Sequence, residues 1–214
     1  AEGRVLELGC GSGTNFAMYD ASKVERLFAL EPSAGMLAKA RREAGALGFG
    51  NQIEFLETGA EAIPLEDNSI DTAVITFVLC TIPDWKSALA ETRRVLKPEG
   101  RILFSEHGLA PDEGVAKWQR RIEPVWKPLA GGCHLTRDVA ALFTQAGFAL
   151  LFMFIPGLEC GDLIRSHQHA ERAADYLAAQ SGCATHGVFV LGPLAERTAA
   201  MHFQQNVQLL GPAA

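Results

Sequence analysis

The sequence has no apolar run long enough to cross a bilayer: its longest, Phe148 to Ile155, falls far below the roughly twenty residues a spanning helix takes. It also has no block of lysine or arginine. With 19 basic and 25 acidic residues and a formal charge of −6, nothing draws it to a nucleic-acid backbone or an anionic lipid surface. The five cysteines, Cys10, Cys80, Cys133, Cys160 and Cys183, are odd in number, scattered and without a C-x-x-C pair, which excludes a disulfide framework and favours reduced thiols. The chain opens on a strand pattern rather than a signal peptide. The expectation is a soluble, cytoplasmic protein with no integral membrane segment and no nucleic-acid partner.

What is present is an ordinary globular composition, 48% hydrophobic and 21% charged over 214 residues, enough for one domain with a real core. The most informative stretch is its start. Val5-Leu6-Glu7-Leu8 reads as a buried strand, and Gly9, Gly11 and Gly13 follow at every second position. A glycine loop between a strand and a helix from about Thr14 would present bare backbone N–H groups to a ligand. The spacing is tighter than the dinucleotide fingerprint G-x-G-x-x-G, which needs glycine at Thr14, and so argues against pyrophosphate. A second strand, Arg26 to Leu30, ends on Glu31, eighteen positions past Gly13. If the two strands are parallel neighbours, this carboxylate lies beside the loop and can accept both hydroxyls of a ribose.

Strand and helix patterns then alternate. Ser33 caps a helix facing the sheet with Met36, Leu37 and Ala40, broken at Gly45 and Gly48. Ile53 to Leu56 is a third strand and Asp71 to Thr76 a fourth. Asp84 caps a helix with Trp85, Ala88, Leu89, Thr92, Val95 and Leu96 on one stripe, ended by Pro98 and Gly100. Arg101 to Ser105 is the fifth strand and delivers Glu106 and His107. A helix over about Gly114 to Trp126, another capped by Thr136, and a sixth strand from Phe148 to Ile155 follow. Helix over Asp162 to Ala179, a last strand at Val188 to Leu191 and a terminal helix complete the pattern. Such alternation predicts a doubly wound, mostly parallel sheet with ligands at the carboxyl ends of its strands.

The run Val5 to Gly13, Glu31, the segment Gly59-Ala60-Glu61-Ala62-Ile63-Pro64 through Asn68-Ser69-Ile70-Asp71, and Arg94-Val95-Leu96-Lys97-Pro98-x-Gly100 together resemble the small-molecule class I S-adenosylmethionine-dependent methyltransferases. Glu106-His107, Trp118, Pro124, Trp126 and Gly132-Cys133-His134-Leu135-Thr136-Arg137 are more narrowly similar to the methyltransferase-like alkyl-thiol methyltransferases and their bacterial relatives. The resemblance implies a Rossmann-like α/β fold with a seven-stranded sheet, here one domain over 1–214 with a core of 1–156 and an extension of 157–214 carrying extra helices. It implies S-adenosylmethionine as cofactor. Glu7, Gly9, Cys10, Gly11, Ser12, Gly13 and Asn15 would pass its methionine and ribose, Glu31 would hold the ribose diol, and Pro32 and Met36 would pack on adenine. Gly59, Ala60 and Glu61 would border the adenine edge, and Thr76, Phe77 and Val78 would close the site. Many relatives carry aspartate where this chain has Gly59, so the side-chain contact to the adenine amine would be either missing or taken by Glu61.

The expected reaction is methyl transfer to a small, rather apolar acceptor, with a thiol favoured over an amine or a quinone-like carbon or oxygen. A sulfonium is already an activated donor, so alignment and exclusion of water do most of the work, and a base matters only if the acceptor must lose a proton. His107 is the first candidate for that base, Cys80 lies where donor and acceptor would meet, and His134 is the second candidate. Readings of another class are an NAD-dependent oxidoreductase, opposed by Thr14, and a non-catalytic cofactor-binding protein, opposed by intact glycines and Glu31. Cys160, His167, His169, Cys183 and His186 are spaced poorly for a tetrahedral metal site, and no metal is expected in this chain. The added C-terminal helices are a candidate dimer contact.

Overall fold

The strand that carries the glycine loop, β1 (Gly3–Leu8), sits in the middle of the sheet of the computed structural model, which describes residues 1–48, 50–110, 112–152 and 189–193. It pairs in parallel with β2 (Val24–Leu30) on one side and β4 (Ile70–Thr76) on the other. Outside these lie β3 (Ile53–Leu56), parallel to β2, and β5 (Leu96–Ser105), parallel to β4. Two further strands, β6 (Phe148–Phe152) and β7 (Phe189–Pro193), extend the β5 edge, with β7 antiparallel to both neighbours. The order is β3-β2-β1-β4-β5-β7-β6. Crossing from β1 to either neighbour reverses the direction of winding, so the crevice at the carboxyl ends of β1, β2 and β4 is the switch point where such sheets take ligands.

The apolar runs explain why both faces are covered. Side chains alternate along a strand, so Leu6, Leu8, Phe28, Leu30, Ala73 and Ile75 join one buried cluster while Val5, Leu27, Ala29 and Val74 join the other. Helix α2 (Trp85–Val95) supplies Ala88, Leu89 and Val95 to the first, and α1 (Ala34–Gly45) supplies Leu37, Ala40 and Ala44 to the second. Each fully buried Leu or Phe contributes on the order of 1.5–3 kcal/mol. The expected doubly wound, mostly parallel sheet is thus present. Ser33 and Asp84 cap these two helices as expected, accepting from Met36 N and Ser87 N.

Three expectations are corrected. The chain after Gly13 does not form an α-helix; a single 3-10 turn, Phe16–Met18, buries Phe16. Returning past the six residues of β1 would take about thirteen helical residues at 1.5 Å each, and only ten separate Gly13 from Val24. Helix α4 (Val139–Gln145) is capped by Asp138, whose Oδ1 accepts from Ala141 N at 3.0 Å, rather than by Thr136. The fifth strand begins at Leu96, directly where α2 ends, with a register break between Ile70 and Thr72 before Arg101 joins the ladder. Helix α3 (Glu113–Leu129) leaves Trp118, Val125 and Leu129 exposed. The helices expected at 162–179 and after 193, and Cys160, His167, His169, Cys183 and His186, lie outside the described residues. No helix among the described residues is long and apolar enough to cross a membrane.

Candidate active site

Gly9, Gly11 and Gly13 all adopt left-handed backbone angles, with φ of 64°, 55° and 86°. Gly9 and Gly13 are required by packing as well, since a Cβ would overlap Val78 at the first and the Phe16 ring at the second. Gly11 differs: a Cβ there would meet only the Met36 methyl, at 3.6 Å. Its bare backbone therefore faces room that a ligand can use. Cys10, between these glycines, is buried, and burial pushes its thiol up to about 12, so it serves as a small apolar wall rather than a thiolate. Ser12 Oγ lies 3.3 Å from Thr14 Oγ1 at the outer edge of the loop.

Glu31 joins the loop from the end of β2. Its Oε2 accepts from Gly11 N at 3.1 Å and its Oε1 from Ser33 N at 3.0 Å, which fixes the carboxylate at the rim of a cavity of about 280 Å³. Of the residues singled out in the sequence, Gly9, Glu31, Pro32, Gly59, Ala60, Glu61 and Val78 line this cavity. Leu30, Thr81, Ile82, Pro83 and Gly131 line it too and were not anticipated. Thr81 to Pro83 follow the carboxyl end of β4, where the switch-point rule could have found them; Gly131 carries no sequence signal. The loop that follows Ala60 and Glu61 is held from behind by Arg94, which donates to the carbonyls of Ile63 and Leu65 and pairs with Glu91 and Asp67. Glu91 in turn accepts from Ile63 N, so the Arg94 motif clamps the segment that carries Ala60 and Glu61.

Glu7 faces the other way. It is buried, accepts from Asn15 Nδ2 and Tyr19 Oη, both at 2.9 Å, and burial raises its carboxyl to about 7. Asn15 is thus placed with Glu7 under the loop, and Tyr19 is a partner that the sequence did not single out.

The candidate acceptor side lies where β4 and β5 end. Thr76, partly buried, pairs in register with Ser105, and Phe77 N donates to Ser105 O at 2.9 Å. Glu106 is buried and reaches back under the following turn, where Oε1 accepts from Val78 N and from Leu79 N at 2.8 Å; burial raises its carboxyl to about 7. His107 is half-buried, its ring stacked on Phe77 with centroids 6.3 Å apart. Its Nε2 shares a 3.1 Å contact with Cys133 Sγ from the connection between α3 and α4. Cys80 Sγ completes the group: it, His107 and Cys133 offer ligating atoms all within 4.8 Å of one another. Burial raises the Cys80 thiol well above the ordinary range. His134 is placed apart from these, with Nδ1 3.0 Å from Glu123 Oε1, lining a second depression with Arg120 and Lys127. The structure therefore brings His107 and Cys80 together and adds Cys133, while His134 does not line the cavity at Glu31.

The sequence family described as a methyltransferase domain matches residues 6–104. The chain is 36% identical to thiol S-methyltransferase TMT1B of Rattus norvegicus over 68% of this chain and 59% of that protein. It is 32% identical to thiol S-methyltransferase TMT1A of Homo sapiens over 76% of this chain and 67% of that protein. The chain thus spans between about three fifths and two thirds of these relatives. Among solved structures, the YcgJ protein of Bacillus subtilis shares the fold at 20% identity, with a TM-score of 0.61 over 90% of each chain.

Proposed function

Because the chain belongs to the S-adenosylmethionine-dependent methyltransferases, we propose that it transfers a methyl group from that cofactor to a small thiol. The observation that carries the reading is the Glu31 carboxylate, anchored on Gly11 N in the lining of a cavity that Val78, Thr81 and Gly131, chain neighbours of Cys80 and Cys133, also line. The cofactor fits the residues present: an acceptor of two hydroxyls at Glu31, open backbone at Gly11, and a cavity near the lower end of small-ligand sites, about 300 Å³. When bound, it supplies a methyl group already activated on a sulfonium. Glu31 accepts the ribose diol, Pro32 and Met36 pack on the base, and Ala60 and Glu61 border its edge. Gly9 to Gly13 bring bare backbone to the methionine portion, with Glu7 and Asn15 setting the polarity beneath. Val78 and Phe77 turn the chain over the reacting end and exclude water. An acceptor sulfur reacts as thiolate, so it must lose a proton, and His107 with its two neighbouring thiols is the group placed to assist.

The names of the curated relatives support thiol as the acceptor class. The net charge of −6 supports a small molecule rather than nucleic acid, and Cys10, Cys80 and Cys133, none in a disulfide, support a reducing, cytoplasmic setting. The test is a panel of thiols, amines and phenols incubated with isotopically labelled cofactor and read by mass spectrometry. Label is expected in thioether products. Label confined to amines or phenols would replace the acceptor, and stabilisation by NAD but not by S-adenosylhomocysteine in a thermal melt would remove the whole reading.

A further inference from the structure

We propose that Cys80, His107 and Cys133 hold a zinc ion whose fourth position receives the acceptor thiol; the catalytic half of this statement rests on the thiol-methyltransferase reading, the metal site does not. Two cysteine sulfurs and one imidazole are the donor set that suits zinc over magnesium or calcium, and three protein ligands are what a zinc site with an exchangeable position carries. Zinc bonds of about 2.3 Å to sulfur and 2.0–2.1 Å to nitrogen place tetrahedral ligand atoms roughly 3.5–3.8 Å apart. The three atoms here already lie within 4.8 Å of one another, with Cys133 Sγ and His107 Nε2 at 3.1 Å. Adjustments of about an ångström close the set.

The three ligands come from separate segments, and hydrogen bonds hold the Cys80 turn and the Cys133 segment together; Cys80 Sγ itself donates to Phe77 O at 3.7 Å, a weak bond that a metal would replace. Glu106 Oε1 fixes the turn before Cys80 through Val78 N and Leu79 N. His134 N donates to Cys80 O at 2.9 Å and so joins the Cys133 segment to the Cys80 turn. Arg137 Nη1 donates to the carbonyls of Leu79 and Ile82, adding a second tie between the same segments. Phe77 stacks on the His107 ring and limits its rotation. Cys80 and Cys133 are 3% and 8% exposed, while His107 is only half-buried, which leaves the open coordination position on its side. Such outer partners are what fix ligand orientation in metal sites.

The chemistry balances without an oxidant. A thiol displaces a solvent molecule from zinc and its proton passes to solvent; the sulfur lone pair then forms the new carbon–sulfur bond as the donor's carbon–sulfur bond breaks, its electron pair staying on the donor sulfur. The thioether, a poor zinc ligand, leaves and solvent returns. An ordinary thiol with a pKa of about 8.5 is only about 3% ionised at pH 7, so holding it ionised gives up to roughly thirtyfold.

The full chain, purified without chelator, is expected to carry close to one zinc per chain by elemental mass spectrometry. Cobalt added to the metal-free protein is expected to give thiolate-to-cobalt charge-transfer absorption and tetrahedral d–d bands. Cys133→Ser should lower the charge-transfer intensity by about half, with S-adenosylhomocysteine still raising its melting temperature as a check on folding. Chelation should slow thiol methylation ten- to thirtyfold at pH 7, with recovery on adding one equivalent of zinc. Cobalt binding without thiolate absorption would overturn the site. Undiminished thiol methylation by metal-free protein would overturn the zinc-activated thiol and return His107 to the part of a plain base. If no thiol is methylated with or without zinc while the cobalt spectrum forms, the acceptor reading fails and the metal site stands.

Discussion

Replacing Glu31 tests the proposed cofactor site most directly, because its carboxylate has one task visible in the structure and a second that we propose, and the two can be separated. One is internal: Oε2 accepts from Gly11 N and Oε1 from Ser33 N. Glu31 is only half-buried, so in Glu31→Ala water takes over these donors, and the stability loss is expected within about 1 kcal/mol. The proposed task is accepting the ribose hydroxyls. Hydrogen bonds to a charged acceptor contribute about 1.5–3 kcal/mol, so S-adenosylhomocysteine should bind Glu31→Ala roughly ten- to 150-fold more weakly by isothermal titration calorimetry. A general loosening of the loop would also weaken binding, so the decisive comparison uses the 2′-deoxy analogue of the same ligand. Wild type should discriminate against the analogue, and Glu31→Ala should bind the two ligands equally. If the variant keeps the wild-type discrimination, Glu31 does not touch the ribose and the proposed orientation is wrong.

Two other predictions concern the buried carboxyls and the loop. Glu106 is raised from 4.5 to about 7 by burial, opposed by the backbone N–H groups of Leu79 and Val78, so the folded protein keeps a proton that the unfolded chain has lost between those values. Its stabilising contribution is full below about pH 4.5 and is lost as pH rises through 7, by about 3 kcal/mol at 1.36 kcal/mol per tenfold; the gap between urea midpoints at pH 5 and 7.5 should shrink in Glu106→Gln, leaving the part carried by Glu7, whose carboxyl burial raises to about 7 as well, and an unaltered gap would refute the assignment. Gly9→Ala should destabilise by about 1–2 kcal/mol for the left-handed backbone plus about 1–3 kcal/mol for the overlap with Val78. Adding Val78→Ala should restore only the overlap portion of the thermal melting point, and no restoration would show that backbone strain alone matters.

Legibility in the sequence followed the range of the interactions. The strands β1, β2 and β4 were readable because burial on both faces makes each a near-continuous apolar run, and the caps at Ser33 and Asp84 because a cap acts within three residues. Gly9, Gly11 and Gly13 were readable because a turn with left-handed backbone forces the residue type locally, and Glu31 because it directly follows a strand parallel to the one that carries them. The missing helix after Gly13 shows where local pattern fails: helix length there is limited by the distance β2 allows, a tertiary constraint that no window of residues contains. The cap of α4 is Asp138 rather than Thr136 because the helix begins at Val139, and the cap is the residue directly before the first helical one.

The acceptor side was harder to read because its parts are joined by fold rather than by spacing. Cys80, His107 and Cys133 are about 26 residues apart in sequence, each unremarkable alone, and their meeting depends on β4 and β5 being parallel neighbours ending at one level. Parallel pairing of Thr76 with Ser105 brings the next residues, Phe77 and Glu106, to the same edge, and one more turn on each side puts Cys80 beside His107. The third partner is then recruited by Arg137 and His134 N, whose bonds to Leu79, Ile82 and Cys80 carbonyls draw the α3–α4 connection across the strand ends. The residues Gly132 to Arg137 therefore act as a strap whose backbone contacts place Cys133 over the acceptor side. Cutting those ties should separate Cys133 from His107 while leaving Glu31 and the glycine loop as they are, because no hydrogen bond of the strap reaches β1 or β2 among the described residues.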